Sequence, residues 1–302
     1  KKDDFTLHRQ IKNSRPRYKK IWNNRKNYII NHNQAIFQYF WVKRMKFYFT
    51  VQYLNIIMFS NIEHIMLSGK TALVTGSNGG IGRAIINTFI ENGANIICAT
   101  RKVDTEFSDY ISKQSKKSKQ TIEILEFDLE NEQDTKEKIQ TLYKKNIVLD
   151  ILVNSAGIAS GSLLEMTSSK NLKKIFEVNF FAQIRLIQLL IRLLKKSKNS
   201  SIINFGSISG LIAERGTLAY GSSKAAFMFA TKVMASELAT YKIRVNAIAP
   251  SITRTKMSDK MEEGARNFLI EQSFLKRECS VNEVADLALY LASDRSAYLN
   301  GQ

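Results

Sequence analysis

The stretch TALVTGSNGGIGR, residues 71–83, decides the reading of this chain. It opens with a short apolar run, Ala72-Leu73-Val74. Glycines 76, 80 and 82 follow with the spacing G-xxx-G-x-G, and a helical pattern continues over residues 82–92. A glycine turn between a strand and a helix lets backbone N–H groups approach a pyrophosphate, and the helix N-terminus adds a favourable dipole. Gly76, Ser77, Asn78, Gly80, Ile81 and Gly82 are therefore candidate cofactor residues. The spacing is not the dinucleotide fingerprint G-x-G-x-x-G, and a glycine cluster alone also fits a plain strand-to-helix turn.

Further apolar runs follow at residues 96–99, 122–127, 151–153, 202–203 and 243–249. Near-continuous apolar strands are what a parallel sheet covered on both faces requires. Amphipathic stretches at 132–144, 172–196, 222–239 and 281–292 lie between or after them. This alternation predicts an α/β protein: a Rossmann-type doubly wound parallel sheet in a single domain over residues 66–302.

The formal charge of +18 is uneven. Residues 1–67 carry 13 Lys and Arg against 3 acids. Residues 1–65 show no clean helix or strand period and read as a basic, disordered extension: a leader, or non-native upstream sequence with Met58 or Met66 as the start. Its most apolar part, residues 47–59, is shorter than the ~18 residues a membrane span needs. The extension leaves open an organelle transit peptide. It also leaves open a protein of another class, binding nucleic acid or membrane through its basic arm.

The histidines are His8, His32 and His64, so the folded part has none. That removes a Ser-His-Asp triad, a histidine general base and a histidine-ligated metal; no metal site is expected. Cys98 and Cys279 are far apart and without a C-x-x-C, so neither a disulfide framework nor a zinc site follows. A hydrolase elbow at residues 206–210 fails because its middle residue is Ile208 rather than serine. Gly69-Lys70-Thr71 is not a phosphate loop, because His64 stands where the earlier glycine belongs.

The run TGSNGGIG resembles the cofactor motif of the short-chain dehydrogenase/reductase family, and further motifs follow in that family's order over residues 66–302. Asp128, with Leu129 beside it, matches the acid after the third strand that contacts adenine. Asn154-Ser155-Ala156-Gly157 resembles the family's NNAG, with Ser155 replacing an asparagine. Asn179, Ser207, Tyr220 and Lys224 match its catalytic four, and Tyr220 and Lys224 also border the cofactor. Pro250-Ser251-Ile252-Thr253 resembles the segment that meets the nicotinamide, with Ser251 in place of glycine. The resemblance implies that Asn154, Ala156, Gly157, Pro250, Ile252 and Thr253 hold the cofactor.

Charge favours NADP(H) over NAD(H). An acid ending the second strand would bind a ribose 2′-OH and repel a 2′-phosphate. Here that strand ends Ala99-Thr100-Arg101-Lys102, and Arg101 can pair with a phosphate bidentately. Gly79 stands where many NADP-preferring relatives carry a second arginine.

Tyr220 and Lys224 lie at i and i+4, so a helix places them on one face. A phenol ionises near ~10. A fixed ammonium and the positive nicotinamide ring would both lower that value, making Tyr220 a usable proton donor. Ser207 can hold the substrate oxygen beside the phenol. The family pattern gives Asn179 the ordering of a water that links Lys224 to solvent.

The segment between Pro250 and the last helix is short. With residues 287–302, it most resembles the 3-oxoacyl-[acyl-carrier-protein] reductases. The resemblance implies NADPH-dependent reduction of an acyl thioester on acyl carrier protein, in a cytoplasmic homotetramer, without nucleic acid or membrane. The alternative is another dehydrogenase of the same family acting on a small alcohol, a sugar or a CoA thioester. Lys195, Lys196, Lys198 and Lys242 are candidates for meeting an acidic carrier; a solvated face explains them equally well. Relatives continue beyond Gln302 into a final strand, so a C-terminal truncation is expected.

Overall fold

The structure, a computed structural model, describes residues 65–302 apart from Met257. The basic extension, apart from Ile65, and all three histidines lie outside the described residues. Six parallel strands form one sheet in the order β3-β2-β1-β4-β5-β6. They are β1 Thr71–Thr75, β2 Asn95–Thr100, β3 Ile122–Glu126, β4 Ile151–Asn154, β5 Ser200–Phe205 and β6 Ile243–Ile248. The order reverses between β1 and β4, which opens a crevice at the carboxyl ends of those strands.

Both faces of the sheet are covered, as the apolar strands require. Side chains alternate across a strand, and β1 shows it: Ala72 and Val74 enter one core, Leu73 the other. The first core is closed by helices α1 (Gly80–Glu91), α2 (Thr105–Lys117) and α8 (Val281–Ala292), with Phe89, Phe107 and Val284 inside. The second is closed by α3 (Glu132–Lys144), α5 (Ala182–Leu194) and α6 (Leu218–Leu238), with Leu142, Leu190 and Phe227 inside. Among the described residues no helix is long and apolar enough to cross a membrane.

Some elements differ from the sequence pattern. Residues 172–196 are not one helix. Helix α4 (Ser169–Phe176) runs into a π turn, Glu177–Phe181, and α5 follows. Helix α2 escaped the pattern because only Phe107 and Ile111 are buried along it; Asp104 caps it by accepting from Phe107 N–H at 2.8 Å. Helix α7 (Glu263–Gln272) buries no residue and so leaves no apolar period to read. Helix α6 begins at Leu218, which puts Tyr220 in its first turn. At the outer edge of β6, Gly301 N–H donates to Val245 O at 2.9 Å, and Ala247 N–H to Gln302 O at 2.7 Å.

Two glycines fix the approach of α1 to the sheet. A Cβ on Gly82 would lie 2.3 Å from Gly76 O. One on Gly76, where φ is +64°, would lie 2.9 Å from Ala156 Cα. Gly82→Ala must push the helix off the turn. We expect a loss of about 1–3 kcal/mol in unfolding free energy, read by denaturant titration; an unchanged midpoint would contradict this packing.

Candidate active site

A cavity of about 530 Å³ occupies the crevice. Gly76, Asn78, Gly80, Ile81 and Gly82 line its helical side, as the glycine turn suggested. Helix α1 has no side-chain cap and no acid in its first turn, so the cavity receives N–H groups that no side-chain acceptor occupies. Such a terminus suits a pyrophosphate. Arg101 lines the end beside β2, Asp128 and Leu129 the end beside β3, and Ala156 and Gly157 the floor after β4.

Two predicted cofactor residues turn away from this cavity. Ser77 is fully buried, and its hydroxyl donates to Ala99 O at 3.0 Å, so its side chain braces β2. Asn154 is buried between strands and donates to Asn204 Oδ1 at 2.9 Å. Pro250, Ile252 and Thr253 do not line the cavity either. Pro250 O accepts from Ile208 N–H at 3.1 Å, which braces the turn after β5, and Thr253 pairs with Cys279 in a lone bridge. The residues just beyond, Thr255 and Lys256, reach the cavity instead. Sequence reading passed over these two, and also Arg83, Lys102 and Asp104. Arg83 stood in the quoted motif, and Asp104 could have been found as a cap three residues before Phe107.

Two of the four predicted catalytic residues, Asn179 and Lys224, stand next to Gly157, and Tyr220 links Lys224 to Ser207; none of the four lines the cavity, Tyr220 and Lys224 included, which were also predicted to border the cofactor. A Cβ on Gly157 would lie 3.2 Å from Asn179 Oδ1 and 3.4 Å from Lys224 Nζ. Asn179 sits in the π turn, fully buried. Its Oδ1 accepts from Ile158 N–H at 2.9 Å, and its Nδ2 donates to Ile158 O at 2.9 Å and Ser223 Oγ at 3.1 Å. The amide thus ties the loop after β4 to α6. Ser207 caps the short turn Ile208–Gly210, accepting from Ser209 N–H at 3.2 Å. That turn packs closely on α6: a Cβ on Gly221 would lie 2.5 Å from Ser209 O. The close approach sets the Ser207 hydroxyl against the Tyr220 phenol.

Lys224 is 5% exposed; its ammonium donates to Phe205 O at 2.6 Å and stands 6.0 Å from the centre of the Tyr220 ring. Burial pushes it down to about 8. Burial also raises the Tyr220 phenol, while the facing Ser207 hydroxyl works the other way. The expected lowering by the lysine is not among the causes that act on the phenol in the protein by itself, where burial dominates.

Lys195, Lys196, Lys198 and Lys242 stand elsewhere. They follow α5 or precede β5 and β6, at the amino edge of the sheet, whereas the cavity opens at the carboxyl edge. Lys195 Nζ lies 3.3 Å from the centre of the Tyr241 ring, and Lys196 donates to Asn146 Oδ1 at 2.7 Å. Within this chain they form no rim of the cavity. Among the described residues no cluster could hold a metal ion.

Comparison with known proteins agrees with this geometry. A family described as enoyl-(acyl carrier protein) reductase matches residues 76–302. The 3-oxoacyl-[acyl-carrier-protein] reductase FabG of Thermotoga maritima is 33% identical over 236 residues, 78% of this chain and 95% of that protein. The chain belongs to the short-chain dehydrogenase/reductase family. It is an NAD(P)-dependent oxidoreductase. The reductase of the same name from Escherichia coli is 32% identical over 236 residues, 78% of this chain and 94% of that one. Among solved structures, one provisionally described as an NAD(P)-dependent gluconate 5-dehydrogenase of Beutenbergia cavernae, with NADP bound at low occupancy, superposes with a TM-score of 0.73. It is 26% identical and covers 79% of this chain and 95% of its own. A gluconate dehydrogenase from Agrobacterium tumefaciens, also provisionally described, gives 0.74 at 26% identity, with 79% and 94% covered.

Burying the Lys224 ammonium has a pH signature. Its folded pKa lies below the ~10.4 of a free lysine, so the burial penalty is full below about pH 8 and fades as pH rises from there towards ~10.4. Stability of the wild type, relative to Lys224→Met, should therefore rise across that window. A flat difference in melting temperature between pH 7 and 10 would mean the ammonium is not buried.

Proposed function

We propose that this chain reduces a 3-oxoacyl thioester, carried on acyl carrier protein, to the 3-hydroxyacyl thioester with NADPH. The observation that carries the reading is the clustering of Tyr220, Ser207, Lys224 and Asn179 behind Gly157, which itself lines a cavity suited to a dinucleotide. The named relatives support the substrate, since the chain spans nearly the whole of each. Arg101, in the strand-end run Ala99-Thr100-Arg101-Lys102 that itself holds no acid, supports NADP(H) over NAD(H).

In this reading the α1 N-terminus and Gly76 take the pyrophosphate, Asp128 and Leu129 take the adenine, and Arg101 takes the 2′-phosphate. Bound NADPH supplies the hydride. Tyr220 donates its phenolic proton to the substrate oxygen as negative charge builds there. The Ser207 hydroxyl donates a second hydrogen bond to the same oxygen, sharing that charge. Lys224 holds a positive charge beside the phenolate that Tyr220 leaves behind, and Asn179 fixes the loop that closes the floor. A homotetramer belongs to the same reading; Phe181 and Phe229 stand exposed and would bury apolar area in it. Both cysteines are free, which suits a reducing compartment such as the cytoplasm.

A second reading, oxidation of a sugar acid, has the two solved structures in its favour. A substrate panel separates the two. The first predicts NADPH oxidation with an acetoacetyl thioester and none with gluconate and NADP; the reverse pattern would replace it. Tyr220→Phe should lower kcat by about 100-fold or more and leave the NADPH dissociation constant unchanged. Normal turnover by that variant would remove Tyr220 from the chemistry.

A further inference from the structure

Beside the β2 end of the cavity, whose lining includes the Asp104 carboxylate, stands Glu106, a second carboxylate that the proposed function leaves without a role. Arg83, Arg101, Lys102 and Lys256 all line this end. Glu106, in the first turn of α2, takes two of these cations. Its Oε1 accepts from Arg83 Nη1 at 2.7 Å, and its Oε2 stands 3.6 Å from Lys256 Nζ. The two partners come from different walls, Arg83 from α1 and Lys256 from the segment after β6. Arg83 is held further: its Nη2 donates to Asn78 Oδ1 at 2.6 Å, and Asn78 Nδ2 donates to Asp104 Oδ2 at 3.1 Å. Its guanidinium also lies over the rings of Phe107 and Tyr110, at 5.7 and 5.1 Å. Among the described residues Arg101 and Lys102 make no ion pair, so the cavity offers two committed cations and two uncommitted ones.

A phosphate entering here needs cations and is repelled by fixed carboxylates. The side chains of Glu106 and Lys256 are largely exposed, so their pair is screened and exchanges partners readily. We infer that Glu106 competes with the cofactor's 2′-phosphate for Arg83 and Lys256, and thereby limits how strongly this cavity prefers NADPH to NADH. The inference rests on the NADP(H) reading of the Arg101 end. Binding NADPH draws Lys256, the more distant and more exposed partner, from the carboxylate to the phosphate. NADH brings no charge to this place and leaves the circuit intact. Glu106 therefore weakens only the phosphorylated dinucleotide.

Titration of the full chain with NADPH and with NADH, followed by cofactor fluorescence, tests this. Glu106→Gln keeps an oxygen for Arg83 and removes the charge. It should tighten NADPH about two- to fivefold, the scale of one exposed ion pair, and leave NADH unchanged. In Lys256→Met most of that gain should vanish when Glu106→Gln is added. If Glu106→Gln weakens NADPH, or shifts both dinucleotides equally, Glu106 positions the site rather than competing, and the inference is overturned. Arg101→Met separates the two levels. If it does not weaken NADPH relative to NADH, the NADP(H) reading of this end fails. If it does, and Glu106→Gln leaves the ratio unmoved, only the competition fails.

Discussion

The Lys224 ammonium, buried with the Phe205 carbonyl as its acceptor at 2.6 Å, joins helix α6 to the end of strand β5. That contact holds Tyr220, in the first turn of the helix, beside Ser207, just past the strand. A buried charge is costly unless it is hydrogen-bonded, and this one lies where the crevice at the sheet's switch point ends. The neighbouring glycines follow from it. Gly221 lets the Ser207 turn reach the helix, and Gly157 leaves room between Asn179 and the ammonium. Sequence spacing, close packing and electrostatics all serve the same placement.

That arrangement has a consequence the i, i+4 spacing did not reveal. Burial penalises the charged forms of both partners at once: it lowers Lys224 to about 8 and raises the Tyr220 phenol. In the protein alone the phenol is therefore held as an acid with its proton on. An oxidised nicotinamide ring bound in the crevice would add a second positive charge to that of Lys224 and favour ionisation. Proton release would then depend on the state of the cofactor.

Much of the fold was legible because its strands are apolar and several helices carry clear ends. Helix α3 runs over the residues the amphipathic period marked, and α8 begins at a capping box in which Ser280 and Glu283 bond each other's backbone. The π turn at Glu177–Phe181 was hidden because the apolar pattern continues through it; only the hydrogen-bond ladder changes. The four candidate catalytic residues were legible as types in order, and the structure sets Asn179 and Lys224 beside Gly157 and Ser207 beside Tyr220. The inward turn of Ser77 and Asn154 was not legible, because side-chain direction is set by strand register at Asn154 and by the backbone of the turn at Ser77 rather than by a motif. The circuit from Asp104 through Asn78, Arg83 and Glu106 to Lys256 was least legible of all, since it crosses elements far apart in sequence.

The most direct test of the central claim is an NMR titration of ring-labelled Tyr220 in three forms: the protein alone, the NADP⁺ complex, and the NADP⁺ complex of Lys224→Met. The account predicts ionisation above the ~10 of a free phenol in the protein alone, well below it in the complex, and a return upward when the lysine is removed. A phenol that stays protonated past 10 in the NADP⁺ complex, or that titrates identically with and without Lys224, would contradict it.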